Sequence, residues 1–155
     1  MAIFNLFKKK EEPKPAAPQK KIITKYLWLI DEEGIGNKFF RAYKDDLSEN
    51  DEYSQTKKEI LDGYYDNGEK IYKYEPFELP FKIEDDKVYS YIDEDKWILV
   101  GILKKSDKGK LKKSTETELY LMPNYYKRIS YDEIETEHGD AYFGLEVTLE
   151  ETPKQ

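Results

Sequence analysis

The 155-residue chain contains no cysteine and a single histidine. Without thiols it can form neither disulfides nor thiolate metal or redox sites, a pattern typical of proteins in a reduced cytosol. We therefore expect a cytoplasmic location. A serine–histidine catalytic pair would have to use His138, and no serine lies in a strand-turn setting of the kind that such nucleophiles occupy.

Long apolar runs are also missing. The longest, Trp97 to Leu103, has seven residues, whereas about 20 are needed to cross a bilayer. A signal peptide has basic residues before its apolar stretch, but here Lys8, Lys9 and Lys10 follow an apolar start. The sequence therefore predicts neither a transmembrane segment nor secretion.

Positive charge is scarce beyond the first 25 residues. Residues 1–25 contain seven lysines against Glu11 and Glu12, so they carry +5 and the remainder of the chain carries −12. This acidic balance argues against broad binding to duplex nucleic acid, which needs clustered cations. A dense carboxylate surface can instead imitate phosphates towards a basic protein partner.

The composition divides the chain into three parts. Residues 8–21 combine three prolines with alternating charge, which predicts an extended tether within a flexible basic leader, 1–21. A single β-rich domain is expected at 22–150 and a disordered tail at 151–155. The apolar start at residues 3–7 is interpreted as disordered, or as an amphipathic anchor for an anionic membrane or a partner groove.

Local patterns predict the first elements of the domain. Residues 22–30 form a β-rich run, and the acidic stretch 45–52 predicts a solvated loop. Thr56 and Glu59 have the spacing of a capping box, which predicts a short helix through Leu61.

Alternation of apolar and polar residues dominates from Ile71 onward. Residues 97–103 are apolar on both faces and are predicted to lie centrally, whereas residues 143–149 alternate as a half-buried strand. Six to eight short strands with one short helix predict a mainly β (α+β) fold, a small curled sheet or barrel.

Catalytic and metal-binding patterns are weak. His138 is interpreted as part of a surface turn, the alternative being a metal ligand with Glu135 or Glu137. Because 33 residues are acidic, neighbouring carboxylates arise by chance. The segment 34–36 lacks both a third glycine and a following helix, which argues against a phosphate cradle. We expect no enzyme activity, no metal and no cofactor.

The densest positive patch is the lysine segment 104–113, which follows the expected central strand. On a strand end and loop, its lysines could contact phosphates while nearby tyrosines stack on bases; the alternative is a solvated loop. The candidate nucleic-acid-binding residues are Lys104, Lys105, Lys108, Lys110, Lys112, Lys113, Tyr89, Tyr91, Tyr125, Tyr126, Lys127 and Arg128.

The order of these segments resembles the small HIRAN-like proteins of Firmicutes and their phages, relatives of the HIRAN domain of DNA-repair helicases. The segments that carry the resemblance are MAIFNLFKKK, Thr56–Leu61, Lys70–Tyr74, Glu78–Pro80, Val88–Asp93, Val100–Ile102 with Lys104 and Lys105, Tyr125–Ile129, and Tyr142–Val147. The sequence departs from the family where Phe81–Asp86 replaces an Asn-Pro-Tyr-Asp-like run and where Met122–Asn124 replaces glycines.

The resemblance implies a HIRAN-like fold and binding to DNA ends. Two functions therefore stand as expectations. The first is a non-catalytic module that binds single-stranded nucleic acid or DNA ends through the lysine segment and exposed tyrosines. The second is an acidic, phage-type protein that binds and modulates a host nucleic-acid enzyme.

Overall fold

The computed structural model describes residues 21–151. The expected leader and tail lie outside this range, except for their innermost residues. Lys21 and Glu151 are backbone partners at the ends of two paired strands.

Ten strands and three short α-helices make up the described chain. The strands are β1 Lys21–Trp28, β2 Lys70–Tyr72, β3 Phe77–Leu79, β4 Lys82–Glu84, β5 Lys87–Ser90, β6 Ile98–Ile102, β7 Glu116–Met122, β8 Tyr125–Ser130, β9 Glu133–His138 and β10 Tyr142–Glu151. The helices are α1 Ile35–Tyr43, α2 Lys57–Leu61 and α3 Lys108–Lys113, with 3₁₀ turns at Lys44–Asp46, Asp51–Ser54 and Lys105–Asp107.

The strands form three antiparallel sheets. The largest has the order β1-β10-β7-β3, and the two smaller ones have the orders β2-β8-β9 and β4-β5-β6. A backbone bridge between Ile30 and Ile102 joins the continuation of β1 to β6. The fold is mainly β, as expected, but it has more strands and helices than expected, and the described strands do not close into a barrel.

The core lies on the inner face of the four-stranded sheet. Alternate residues of β10, from Phe143 to Leu149, are buried there with Leu119 and Leu121 of β7. This alternation confirms the half-buried strand predicted at residues 143–149. A smaller cluster of Ile60, Ile71 and Ile129 holds α2 against the sheet of β2, β8 and β9.

Helix α1 contradicts the expectation that no helix follows Gly34. Ile35, Phe39, Phe40 and Tyr43 all pack against the core from successive turns, the spacing of an amphipathic helix. The Phe39 ring meets Phe143 edge-on with centroids 5.4 Å apart. Gly36 permits this close packing, because a Cβ there would clash with the carbonyl of Ala141.

The capping box at Thr56 is confirmed. Its Oγ1 accepts the Glu59 N–H at 3.2 Å, and the Glu59 carboxylate accepts the Thr56 N–H at 3.4 Å. The acidic stretch 45–52 is only partly a loop, since 3₁₀ turns occupy Lys44–Asp46 and Asp51–Ser54.

Strand β6 lies at the end of its sheet rather than at the centre. Its apolar character has another cause: Val100 is fully buried, and Ile98 packs against the same core from the side. Within residues 21–151, no helix is long and apolar enough to cross a membrane.

Candidate nucleic-acid interface

The lysine segment forms a helical turn and helix α3, not the loop that was expected. Leu111 packs against the core and leaves the lysines around it in solvent. Lys108 pairs with Asp85 at 3.2 Å and Lys110 with Asp107 at 3.4 Å. The four remaining lysines are exposed: Lys104, Lys105, Lys112 and Lys113.

The predicted residues of β8 divide between the two faces of their sheet. Tyr125 is packed among the rings of Phe40, Tyr74 and His138, with centroid distances of 6.1, 5.8 and 5.0 Å. Lys127 donates a hydrogen bond to the Tyr53 carbonyl. Burial and the neighbouring Lys73 lower the pKa of Lys127. These inward contacts tie Tyr125 and Lys127 to the protein's own packing.

Tyr126 and Arg128 point to the opposite face, where β2 supplies matching residues. Tyr72 lies opposite Tyr126 and Lys70 lies opposite Arg128. The two tyrosine centroids are 6.0 Å apart, and the Lys70 ammonium is 4.6 Å from the Tyr126 ring centre. The Arg128 guanidinium carbon is 5.7 Å from the same centre. We call this set of two tyrosines and two cations the basic-aromatic face.

Arg128 is partly compensated by an acid. Its Nε lies 3.8 Å from a carboxylate oxygen of Glu137 on β9, and both side chains are about two-fifths exposed. An exposed pair at this distance contributes about 0–1 kcal/mol. The guanidinium therefore remains available to an anionic ligand.

Tyr89 and Tyr91 lie in a third place, beside β4. The Lys82 ammonium is 5.3 Å from the Tyr89 ring centre and 5.1 Å from that of Trp97. The rings of Tyr91 and Trp97 meet edge-on at 4.9 Å. These residues form a separate aromatic patch on the sheet of β4, β5 and β6.

The predicted lysines and tyrosines therefore do not share one surface. The lysine segment ends just before β7 begins at Glu116, and β8 begins just after β7 ends at Met122. Six residue steps along a strand span about 20 Å. Strand β7 thus holds the lysine segment and the Tyr125–Arg128 stretch at its opposite ends.

The protein contains an aromatic cleft that the sequence patterns did not predict. The cleft has a volume of about 470 Å³ and lies where the outer face of the four-stranded sheet meets β2. Five of its lining residues are aromatic: Tyr26, Trp28, Tyr72, Tyr74 and Tyr142. Tyr72 belongs to both the cleft and the basic-aromatic face, so the two surfaces are continuous.

Trp28 contributes the largest ring of the cleft. It stacks on Tyr26 at 5.1 Å with planes 9° apart, and it meets Tyr142 edge-on at 5.4 Å. Gly144, opposite Trp28 on β10, leaves room for the indole, because a Cβ at that glycine would come within 2.7 Å of it. The Trp28 side chain is still 40% exposed, which suits a stacking surface.

Carboxylates lie along the same sheet next to the cleft. Tyr26, Glu146 and Glu118 occupy one row across three strands, and Glu78 lies on the next strand beyond them. The negative charge of the nearby Glu118, followed by local loss of solvent, raises the pKa of Glu78. We call Glu78, Glu118 and Glu146 the acidic row.

Two tyrosine hydroxyls connect the cleft to the acidic row. Burial, a hydrogen bond to Glu146 and the Glu146 charge raise the pKa of Tyr26 to about 12. Tyr120 donates to Glu118 at 2.9 Å, and this bond is the main cause of its raised pKa. Both phenols therefore stay protonated and act as donors to the carboxylates.

His138 ends β9 rather than occupying a turn, and its ring stacks on Tyr125. Across residues 21–151, no group of three or more histidine or acidic side chains is arranged to hold a metal ion.

Comparisons with known proteins give no assignment. A scan against protein-family models, a search of curated proteins and a search of solved structures each find no match. The interpretation of the cleft and its neighbouring surfaces therefore depends on their own chemistry.

Proposed function

We propose that this protein is a non-catalytic module that binds single-stranded nucleic acid or DNA ends. The observation that carries the proposal is the continuity of the basic-aromatic face with the aromatic cleft through Tyr72. Bases would stack on Tyr126, Tyr72 and Trp28, while Lys70 and Arg128 would contact phosphates.

The chemistry of these surfaces favours single strands over duplexes. Aromatic rings on an open sheet stack on unpaired bases, each worth about 1–3 kcal/mol, and this requires no sequence readout. Residues 21–151 contain 20 basic and 31 acidic residues, a net charge of −11. Duplex binding through phosphates alone needs a much larger set of clustered cations.

The resemblance to HIRAN-like proteins supports the same proposal. Three of its segments coincide with strands that build the two surfaces: Lys70–Tyr72, Tyr125–Ser130 and Tyr142–Glu151. We propose a HIRAN-like relationship on that basis, with the nucleic-acid contacts placed at Tyr72, Tyr126 and Arg128 and in the cleft.

Fluorescence anisotropy with a labelled single strand of about twelve nucleotides would test the proposal, since OB folds that bind single strands cover ~4–16 nucleotides. We expect binding in the micromolar range at low salt, competed by unlabelled single strand and less well by blunt duplex. Two cations predict a slope of about −1.4 in a plot of log K against log salt concentration. No binding at about 100 µM protein in low salt would refute the function.

Two variants distinguish which of the two positively charged surfaces binds the nucleic acid. Replacing Tyr72 and Tyr126 by alanine removes two stacking platforms, and we expect affinity to fall at least about tenfold. The matched control replaces Lys104, Lys105, Lys112 and Lys113 by glutamine, which changes a basic patch about 20 Å away. A larger loss in the lysine variant would instead assign binding to the lysine segment.

The acidic row favours a second candidate, a phage-type protein that binds a basic surface of a host nucleic-acid enzyme. Glu78, Glu118 and Glu146 crowd together beside donors from Tyr26 and Tyr120. Calorimetric titration with a lysine-rich peptide would test this candidate. Binding that is lost in the Glu118→Gln/Glu146→Gln variant would support it, and heats equal to buffer dilution would rule it out.

A further inference from the structure

The aromatic cleft and the acidic row form one composite surface on the outside of the four-stranded sheet. Tyr26 lines the cleft and lies directly opposite Glu146 on β10, so the apolar and acidic parts meet at that residue. Trp28 and Tyr72 leave 40% and 43% of their surfaces in solvent. A ligand that complements both parts must join apolar side chains directly to positive charge.

The chain's own N-terminus has this composition. Residues 3–7, Ile-Phe-Asn-Leu-Phe, contain four large apolar side chains, and three lysines follow at once. Among residues 1–20, only Glu11 and Glu12 carry negative charge. The order of apolar side chains followed by lysines matches the order of cleft followed by acidic row.

The connecting chain is long enough to bring these residues to the cleft. Strand β1 runs from Lys21 to Trp28, a distance of about 23 Å at 3.3 Å per residue. The fourteen residue steps from Phe7 to Lys21 can span about 43 Å even with the extended rise of a proline-rich chain. The N-terminus can therefore return along β1 and still reach Trp28.

We infer that residues 3–10 bind in cis to this composite surface, with the apolar side chains in the aromatic cleft and the lysines on the acidic row. Attachment to the same chain gives the segment an effective concentration in the millimolar range, so even a weak contact is populated. A cation beside Glu78, Glu118 and Glu146 also relieves the repulsion between them.

The contact would regulate the binding site described above. Residues 3–7 and a nucleobase cannot both cover the exposed Trp28 ring. The N-terminal segment would therefore compete with nucleic acid. This regulatory consequence rests on the proposed function, whereas the contact with Trp28 does not. The contact is therefore tested first, in the absence of nucleic acid.

Quenching of Trp28 fluorescence by acrylamide measures the contact directly. The chain has two tryptophans, so the full-length protein carries Trp97→Phe to leave Trp28 alone. We expect the Phe4→Ser/Phe7→Ser variant to raise the quenching constant about twofold, since the indole loses its apolar cover. The control, Ala16→Ser/Ala17→Ser, changes the leader outside the segment and should leave the constant unchanged.

Further outcomes discriminate among occupants. Equal quenching in the serine variant and its parent would overturn the inference, as would protection of Trp28 that increases with protein concentration, which indicates a second copy. Sedimentation with anionic vesicles without any protection of Trp28 in solution would assign residues 3–10 to a membrane instead. Replacing Lys8, Lys9 and Lys10 by glutamine should remove part of the protection, and added salt should do the same.

The oligonucleotide titration then separates the contact from the function. If both are correct, the Phe4→Ser/Phe7→Ser variant binds a single strand more tightly than the parent protein does. If quenching rises and neither protein binds the strand, the contact stands and the nucleic-acid function fails. If the parent binds the strand and quenching does not change, the function stands and the contact fails.

Discussion

Asp31, at the end of β1's continuation, is predicted to destabilise the folded protein at neutral pH. Its Oδ2 accepts the Phe143 N–H at 3.3 Å, but its buried Oδ1 has no hydrogen-bond partner in the described part of the chain. Burial raises the pKa of this carboxyl from 3.8 to about 6, although the bond from Phe143 acts in the opposite direction. The folded state therefore holds the Asp31 proton more tightly than the unfolded state does.

The sign of the pH dependence follows from this difference. Below about pH 4 the carboxyl is protonated in both states and costs nothing, whereas above about pH 6 the folded state must bury a charge. The contribution of Asp31 to the free energy of unfolding therefore decreases as pH rises from 4 to 6 and stays low at higher pH. Burying the Asp31 charge costs at most about 3 kcal/mol, and relaxation of nearby groups and water around the charge reduces this cost.

The Asp31→Asn variant keeps an oxygen to accept the Phe143 N–H and removes the charge. Its new amide donors can cost part of the gain, so we expect about 1–2 kcal/mol of stabilisation at pH 7 and none at pH 4. Urea unfolding of variant and parent at both pH values measures this difference, with exposed Asp132→Asn as the control. A stability difference that is the same at pH 4 and pH 7 would refute the assignment of the cost to a buried charge.

Three other substitutions test the packing that positions the site. Gly144→Val should displace the Trp28 indole and red-shift Trp28 emission in the Trp97→Phe background, while Gly109→Val, where a Cβ meets open space, should not. Thr56→Ala should lower the free energy of unfolding by about 1 kcal/mol in urea titration, because it removes the Oγ1 that accepts the Glu59 N–H. Phe39→Ala should cost about 3–5 kcal/mol by the same assay, because the ring is fully buried against Phe143; a cost below that of Thr56→Ala would contradict the packing described for α1.

Short sequence patterns are sufficient to predict the elements that depend on interactions between residues close together in the chain. The capping box at Thr56 needs two residues three positions apart, and the alternation at residues 143–149 reports directly which face of β10 is buried. Helix α1 was missed because Gly34 and Gly36 suggest a turn. Its apolar spacing at Ile35, Phe39 and Tyr43 was the available signal, but Gly36 is explained only by the close approach of Ala141 from β10.

The site could be predicted only in part, because strand register decides it. Tyr26 and Trp28 alternate with buried Leu27 and Leu29, which indicates that they face outward. Nothing in the sequence pairs Trp28 with Gly144, or places Tyr72 beside a cleft whose floor comes from β1 and β10. The lysines of segment 104–113 were predicted to bind nucleic acid because they are close together in sequence. In the structure, α3 and β7 separate them from the aromatic rings.

The distribution of charge limits how this protein can act. The rings of the aromatic cleft and the basic-aromatic face lie between two cations, Lys70 and Arg128, and a row of carboxylates. A long polyanion that tracks across the sheet therefore meets repulsion after one or two phosphates. A ligand held mainly by stacking, with only a short charged part, avoids that repulsion. The inferred contact would use the same boundary, because residues 3–10 would place their lysines on the acidic side. In the proposed function, the acidic row would therefore restrict which nucleic acids enter the cleft and would favour residues 3–10 as their competitor.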